Sequence, residues 1–156
     1  MLLPNKSNDQ QKILYAIQKN NVIVDSIAGS GKTTTILHIA NEFQDKNILL
    51  LTYNKRLKFE TREKKELLKL KNIEIHSYHS FGFYYYDKKC NTDQGIIDMI
   101  KKKFTSFKKF EYDIIILDEA QDISKLYFEF ICKIIANISK TIKSHIVAIR
   151  RFFGAE

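Results

Sequence analysis

Tryptophan is missing from the sequence, proline occurs once, at Pro4, and cysteine only twice, at Cys90 and Cys132. The two cysteines lie far apart and neither belongs to a Cys-x-x-Cys pair, so neither a disulfide scaffold nor a zinc ribbon is indicated. Cys132 falls in an apolar helical pattern and is expected to pack in the core. His76 and His79 are close together, but no cysteine or acidic ligand accompanies them, which argues against a metal centre. No apolar run approaches the roughly 20 residues that span a bilayer. The segment Met1–Lys6 also has no signal-peptide core. These absences lead to the expectation of a soluble, intracellular protein without a membrane partner.

What remains is a globular composition, 44% hydrophobic over 156 residues, the size of one domain with a core of its own. Lysine and arginine outnumber aspartate and glutamate by 26 to 18, a formal charge of +8. A surplus of that sign attracts polyanions, nucleic acid first among them. A lysine-rich solvated surface would give the same balance, so charge supports that partner without establishing it.

Apolar runs and helical spacings alternate along the chain. Ser7-Asn8-Asp9-Gln10 fits a capping box, and Ile13, Leu14 and Ile17 follow at helical spacing, predicting a helix to about Lys19. Val22–Val24, Ile48–Leu51, Ile73–Ile75, Ile114–Leu117 and His145–Ile149 read as short buried strands. Helices are predicted over Thr33–Phe43, Lys55–Lys71, Ser77–Tyr86, about Ile96–Phe104 and Ile123–Ile138. Strands alternating with helices predict an α/β fold, a parallel sheet with helices on both faces in the P-loop NTPase manner. No repeat or linker divides the chain, which reads as one domain over residues 1–156.

Two segments carry chemistry. Ala28-Gly29-Ser30-Gly31-Lys32-Thr33 follows a predicted strand and opens a predicted helix, the context a phosphate-binding loop requires. Glycines let the backbone turn its N–H groups inward toward phosphate oxygens, and the helix start adds its positive dipole end. Lys32 would reach the β- and γ-phosphates of a nucleotide, and the Thr33 hydroxyl would hold Mg²⁺. The general pattern begins on glycine; here that position is Ser26, small enough to permit the loop. The second segment is Asp118-Glu119-Ala120-Gln121-Asp122, directly after the Ile114–Leu117 strand. There Asp118 would serve the Mg²⁺ shell and Glu119 would polarise an attacking water. An acidic pair also suits an ordinary helix start, but not at this place relative to a phosphate loop.

Together the two segments resemble the ATPase motifs of the UvrD/Rep group of superfamily 1 DNA helicases, and the resemblance runs from about Ser7 to Asp122. Gln11 stands where that family has its adenine-reading glutamine. Leu51-Thr52-Tyr53-Asn54-Lys55 and His79-Ser80-Phe81-Gly82 resemble the segments that face single-stranded DNA. The resemblance implies a RecA-like fold binding ATP and Mg²⁺ through Gln11, Ala28, Gly29, Ser30, Gly31, Lys32, Thr33 and Thr34, with Mg²⁺ on Thr33 and Asp118. It implies Lys32, Asp118, Glu119 and Gln121 as the catalytic set, Gln121 sensing the γ-phosphate. DNA contacts would fall to Thr52, Tyr53, Asn54, Lys55, His79, Ser80 and Phe81, on a strand translocated 3′ to 5′. Phe83, Tyr84, Tyr85 and Tyr86 are further stacking candidates, though aromatics at helical spacing usually pack in the core. The lysines at 101–103 and 108–109 would line a phosphate track or form a solvated face.

The resemblance weakens at the carboxyl end. A strand, Gly-Asp-x-x-Gln and a closing Phe-x-Gly-Ala are expected. The chain has His145–Ile149, then Arg150-Arg151, then Phe152-Phe153-Gly154-Ala155. A small deletion or a shifted reading frame near residues 139–150 is the expectation. A second RecA-like domain, with the arginines that complete such a site, is not in the sequence and would act in trans. Single-stranded DNA and that domain are therefore the expected partners, and turnover by this chain alone is expected to be slow. The alternative is a non-catalytic remnant that binds nucleotide or single-stranded DNA. A small P-loop kinase would need lid arginines and an acceptor site that the sequence does not show.

Overall fold

Parallel pairing organises everything in the computed structural model, which describes residues 1–27 and 29–151. The strands are β1 (Val22–Ser26), β2 (Ile48–Leu51), β3 (Ile73–His76), β4 (Ile114–Leu117) and β5 (His145–Arg151), in the order β1-β5-β4-β2-β3. Each neighbouring pair is parallel. All four residues of β2 and of β4 are buried, because helices cover both faces and leave no polar alternation in the sequence. The fold is thus the RecA-like α/β sheet that the sequence predicts.

On one face lie α1 (Asn8–Ile17), α2 (Lys32–Glu42) and α3 (Lys55–Leu67), whose Leu14, Ile36 and Leu57 pack on Ile48, Ile75, Ile116 and Val147. On the other lie α4 (Tyr78–Tyr85), α5 (Asp93–Lys101) and α6 (Lys125–Ala136), whose Phe81, Ile96 and Phe130 pack on Leu49, Leu51 and Ile115. The predicted elements all exist, with shifted ends. The third helix stops at Leu67 because Lys69 takes a left-handed turn (φ 56°). The helix after the acidic segment begins at Lys125, capped by Ser124, and a short turn of 3₁₀ helix over Ala120–Asp122 precedes it. Cys132 is a correction: it is exposed on α6, beside the apolar groove lined by Phe128, Ile135, Ile146 and Ala148. Cys90 is the cysteine in the core.

Strand order decides where the chemistry collects. Strand β5 lies between β1 and β4, so the loops at their carboxyl ends meet over one edge, where α/β sheets bind ligands.

Candidate active site

The loop between β1 and α2 turns on two left-handed glycines, Gly29 (φ 80°) and Gly31 (φ 76°). A side chain at Gly29 would meet nothing within 4 Å, so the requirement there is conformational. Gly31 is the N-cap of α2 and carries no side-chain cap, leaving first-turn N–H groups available to an outside anion. Ser26, at the position the general pattern gives to glycine, is buried and donates its hydroxyl to the Arg150 carbonyl at 3.3 Å. A small polar residue therefore ties the base of the loop to β5. Ala28 lies outside the described residues, as does the closing block Phe152-Phe153-Gly154-Ala155.

Across the edge, β4 ends on two carboxylates. Asp118 is fully buried; its Oδ2 accepts from the Thr52 hydroxyl at 2.9 Å, while Oδ1 accepts no hydrogen bond among the described residues. Lys32, 87 positions away in sequence, donates to Glu119 Oε1 at 2.6 Å and lies 3.6 Å from Asp118 Oδ1. Glu119 adopts a left-handed backbone (φ 49°, ψ 46°), which turns its side chain back toward the loop. Gln121 Nε2 donates to its Oε2 at 2.7 Å, and Arg151 Nη2 donates to Oε1 at 2.9 Å. Burial raises the Asp118 carboxyl above its ordinary value, against the Lys32 charge and the Thr52 bond. Burial would raise Glu119 as well, but the bonds from Lys32, Gln121 and Arg151 win and hold it at about 2.

The fit to Mg²⁺ can be judged from the donors. A buried carboxylate oxygen lacking a hydrogen-bond partner is the hard oxygen that Mg²⁺ takes, and Thr33, in the first turn of α2, is buried as well. Among the described residues, no cluster of three or more His, Cys, Asp or Glu could hold a metal. An ion here would thus depend on phosphate oxygens and water for the rest of its shell, as Mg²⁺ commonly does.

Beside the loop opens a cleft of about 220 Å³ lined by Gln10, Val24, Ser30, Lys32, Thr35 and Ile149 among others. Gln10, not Gln11, faces it, with Nε2 donating to the Thr35 hydroxyl at 3.1 Å. Gln11, expected from the sequence to read adenine, is exposed, reaches the Lys6 carbonyl at 3.5 Å and lines a different hollow with His38 and Asn41. One residue along a helix is about 100° around it, so neighbouring glutamines cannot share a face.

The residues expected to face DNA divide. Thr52 is a correction: it is fully buried, bonded to Asp118 and accepting from the Asn54 N–H at 3.0 Å. Phe81 is another, fully buried against Phe110 and Phe130. Tyr86 is buried as well, whereas Phe83 and Tyr84 are exposed. Tyr53 is half-buried; its hydroxyl donates to the Asp122 carbonyl at 3.2 Å and accepts from Ser124 N–H at 3.3 Å. Asn54 caps α3 through Leu57 N–H at 3.1 Å, and Lys55 is exposed on the first turn. His79 is half-buried against Asp93 at 2.7 Å, with Tyr127 donating to the same carboxylate at 2.5 Å. The Ser80 hydroxyl is occupied within the capping box of α4. Thr34, the last of the loop residues named from the sequence, is half-buried in the first turn of α2.

Sequence reasoning missed three members of this site. Gln10 was concealed by its neighbour Gln11. The Thr52–Asp118 bond joins residues with no signal linking them. Arg151 sits where the expected Gly-Asp-x-x-Gln would fall, so no pattern marked it.

The family described as an AAA domain matches residues 10–148. F-box DNA helicase 1 of Gallus gallus is 30% identical over 79 residues, 49% of this chain and 7% of its own length. The chain therefore spans only a small part of that relative. Among solved structures, the Hef helicase domain of Pyrococcus furiosus matches with a TM-score of 0.62 at 17% identity, over 97% of this chain and 34% of that one. The SWI2/SNF2 ATPase core of Sulfolobus solfataricus, solved in complex with dsDNA, gives 0.53 at 16%, over 96% and 32%. At those identities the likeness concerns the fold alone.

Proposed function

The chain belongs to the AAA domain family, and from that premise we propose that it is the ATP-binding domain of a DNA helicase of the UvrD/Rep kind. In this reading it couples ATP hydrolysis to 3′ to 5′ movement along single-stranded DNA. The observation that carries the reading is the meeting of Lys32 with both carboxylates, 2.6 Å from Glu119 and 3.6 Å from Asp118. A loop lysine set beside an acid pair at the end of a buried strand suits phosphate chemistry, and family membership supports the same assignment.

The geometry supports the following roles. The N–H groups around Gly29, Ser30 and Gly31, with the dipole of α2, bind the phosphates, and Thr34 lies in the same first turn. Lys32 leaves Glu119 for the β- and γ-phosphate oxygens. Thr33 and Asp118 would hold Mg²⁺, which would neutralise charge developing on the transferred phosphoryl group. Glu119, released from Lys32, accepts the proton of the attacking water, giving ADP and inorganic phosphate. Gln121 joins Glu119 to β5, so it can report the state of the phosphate site. Gln11 reads the base, the role the resemblance gives it, with Gln10, which lines the cleft, as the alternative.

Tyr53, Asn54, Lys55 and His79 surround the face next to the acidic segment and are the proposed contacts for single-stranded DNA. Asn54 and His79 act there chiefly through the elements they fix. A second RecA-like domain would supply further arginines to the site, worth about 10³–10⁵ in phosphoryl-transfer rate. Phosphate release with and without single-stranded DNA tests the reading. Glu119→Gln should lower turnover on the order of 10²–10⁴ while retaining ATP binding, whereas Lys32→Ala should lose both. Hydrolysis unchanged in Glu119→Gln would refute the assignment.

A further inference from the structure

Strand β5 brings an arginine into the site just described. It pairs with β1 as far as Ser26↔Arg151, so its carboxyl end emerges between the phosphate loop and the carboxylates. Arg151 is held there in part by its N–H, which donates to Gln121 Oε1 at 2.9 Å, and by its guanidinium, which donates to Glu119 Oε1 at 2.9 Å. The preceding residue turns the other way, and Arg150 pairs with Asp25 at the base of the loop. Arg151 is thus the one of the pair aimed at Glu119.

Glu119 Oε1 receives both Lys32 and Arg151, while Oε2 receives Gln121. Both oxygens of that carboxylate are thus engaged, Oε1 by two cationic donors. The two cations also share one oxygen, so they are separated by no more than the sum of their distances to it. Anything Lys32 grips is therefore within reach of the Arg151 side chain. Lys32 faces both carboxylates and Arg151 faces Glu119, and a guanidinium is well suited to phosphate oxygens.

Resting on the ATP-binding reading above, we propose that Arg151 reads the γ-phosphate. It holds Glu119 in the nucleotide-free chain and passes its guanidinium to the terminal phosphate of a nucleoside triphosphate, which frees Glu119 Oε1. A diphosphate ends short of that point and leaves the hold in place. Arg151 is in this sense a positioning residue for Glu119 and the residue by which the site tells triphosphate from diphosphate.

The test is equilibrium binding of a non-hydrolysable ATP analogue and of ADP, each with Mg²⁺, to the full chain. Arg151→Ala should weaken the analogue at least about tenfold, the worth of a charge-assisted hydrogen bond, and leave ADP within about twofold. Arg151→Lys should recover part of the loss. The ADP arm reports that the variant site is folded; if Arg151→Ala does not fold, Arg151→Gln carries the same comparison. Equal losses for both nucleotides, no loss for either, or tighter binding of the analogue would overturn the proposal. Lys32→Ala separates the two levels, since it should weaken both nucleotides. If the wild type binds neither nucleotide, or Lys32→Ala changes nothing, the ATP-binding reading fails and the role of Arg151 fails with it.

Discussion

Thr52 gives its hydroxyl hydrogen to Asp118 and accepts the Asn54 N–H with the same oxygen, all within a fully buried position. Replacing it with valine keeps the shape and strands both partners, one of them a buried carboxylate. Thr52→Val should therefore cost about 1–3 kcal/mol of unfolding free energy, read by denaturant titration, with Thr52→Ser much milder. A loss no larger for valine than for serine would show that the hydroxyl is not what matters. At this scale the sequence was legible by motif and illegible by facing. The loop and the acid pair stand out because glycine, lysine and carboxylate are needed there for reasons any chain must satisfy. Which side a residue turns depends on the completed sheet, and so Thr52 and Phe81 proved to be core, and Gln10 rather than Gln11 faced the cleft.

Glu74 shows how elements are held to one another. From β3 it accepts the Tyr85 hydroxyl of α4 at 2.7 Å and the Tyr112 hydroxyl ahead of β4 at 2.9 Å, with His76 Nε2 at 3.4 Å. Burial would raise its pKa, but the bonds from His76, Tyr85 and Tyr112 outweigh burial and hold it at about 2, below the ordinary 4.5. A depressed acid contributes stability that is present above about 4.5 and is lost as pH falls toward about 2. The stability gap between wild type and Glu74→Gln should accordingly be open at pH 6 and shrink through that window in acid melts. A gap independent of pH would contradict this. Elements themselves were easy to find in the sequence, because β2 and β4 are uninterrupted apolar runs. Their ends were harder. Strand β5 continues to Arg151 because β1 is there to pair with it as far as Ser26, and the 3₁₀ turn at Ala120 follows from the left-handed Glu119. Neither partner is adjacent in sequence.

For the molecule as a whole, alternation of apolar strands and helices announced a covered parallel sheet, but nothing in it announced the order β1-β5-β4-β2-β3. That order follows from how the crossovers pack, and it makes the site by setting β5 between the phosphate loop and the acid pair. The cleft, Lys32, the two carboxylates and Arg151 then gather at one sheet edge, with Tyr53 linking the acidic segment to the neighbouring face. The central claim is that this edge is a site for a magnesium nucleotide organised by Lys32. Titration calorimetry of ATP into wild type and Lys32→Ala, with and without Mg²⁺, addresses it most directly. Binding that tightens with Mg²⁺ and weakens by at least about tenfold, or 1.4 kcal/mol, in Lys32→Ala is the predicted result. Equal affinity in the two proteins, or none in the wild type, would contradict it.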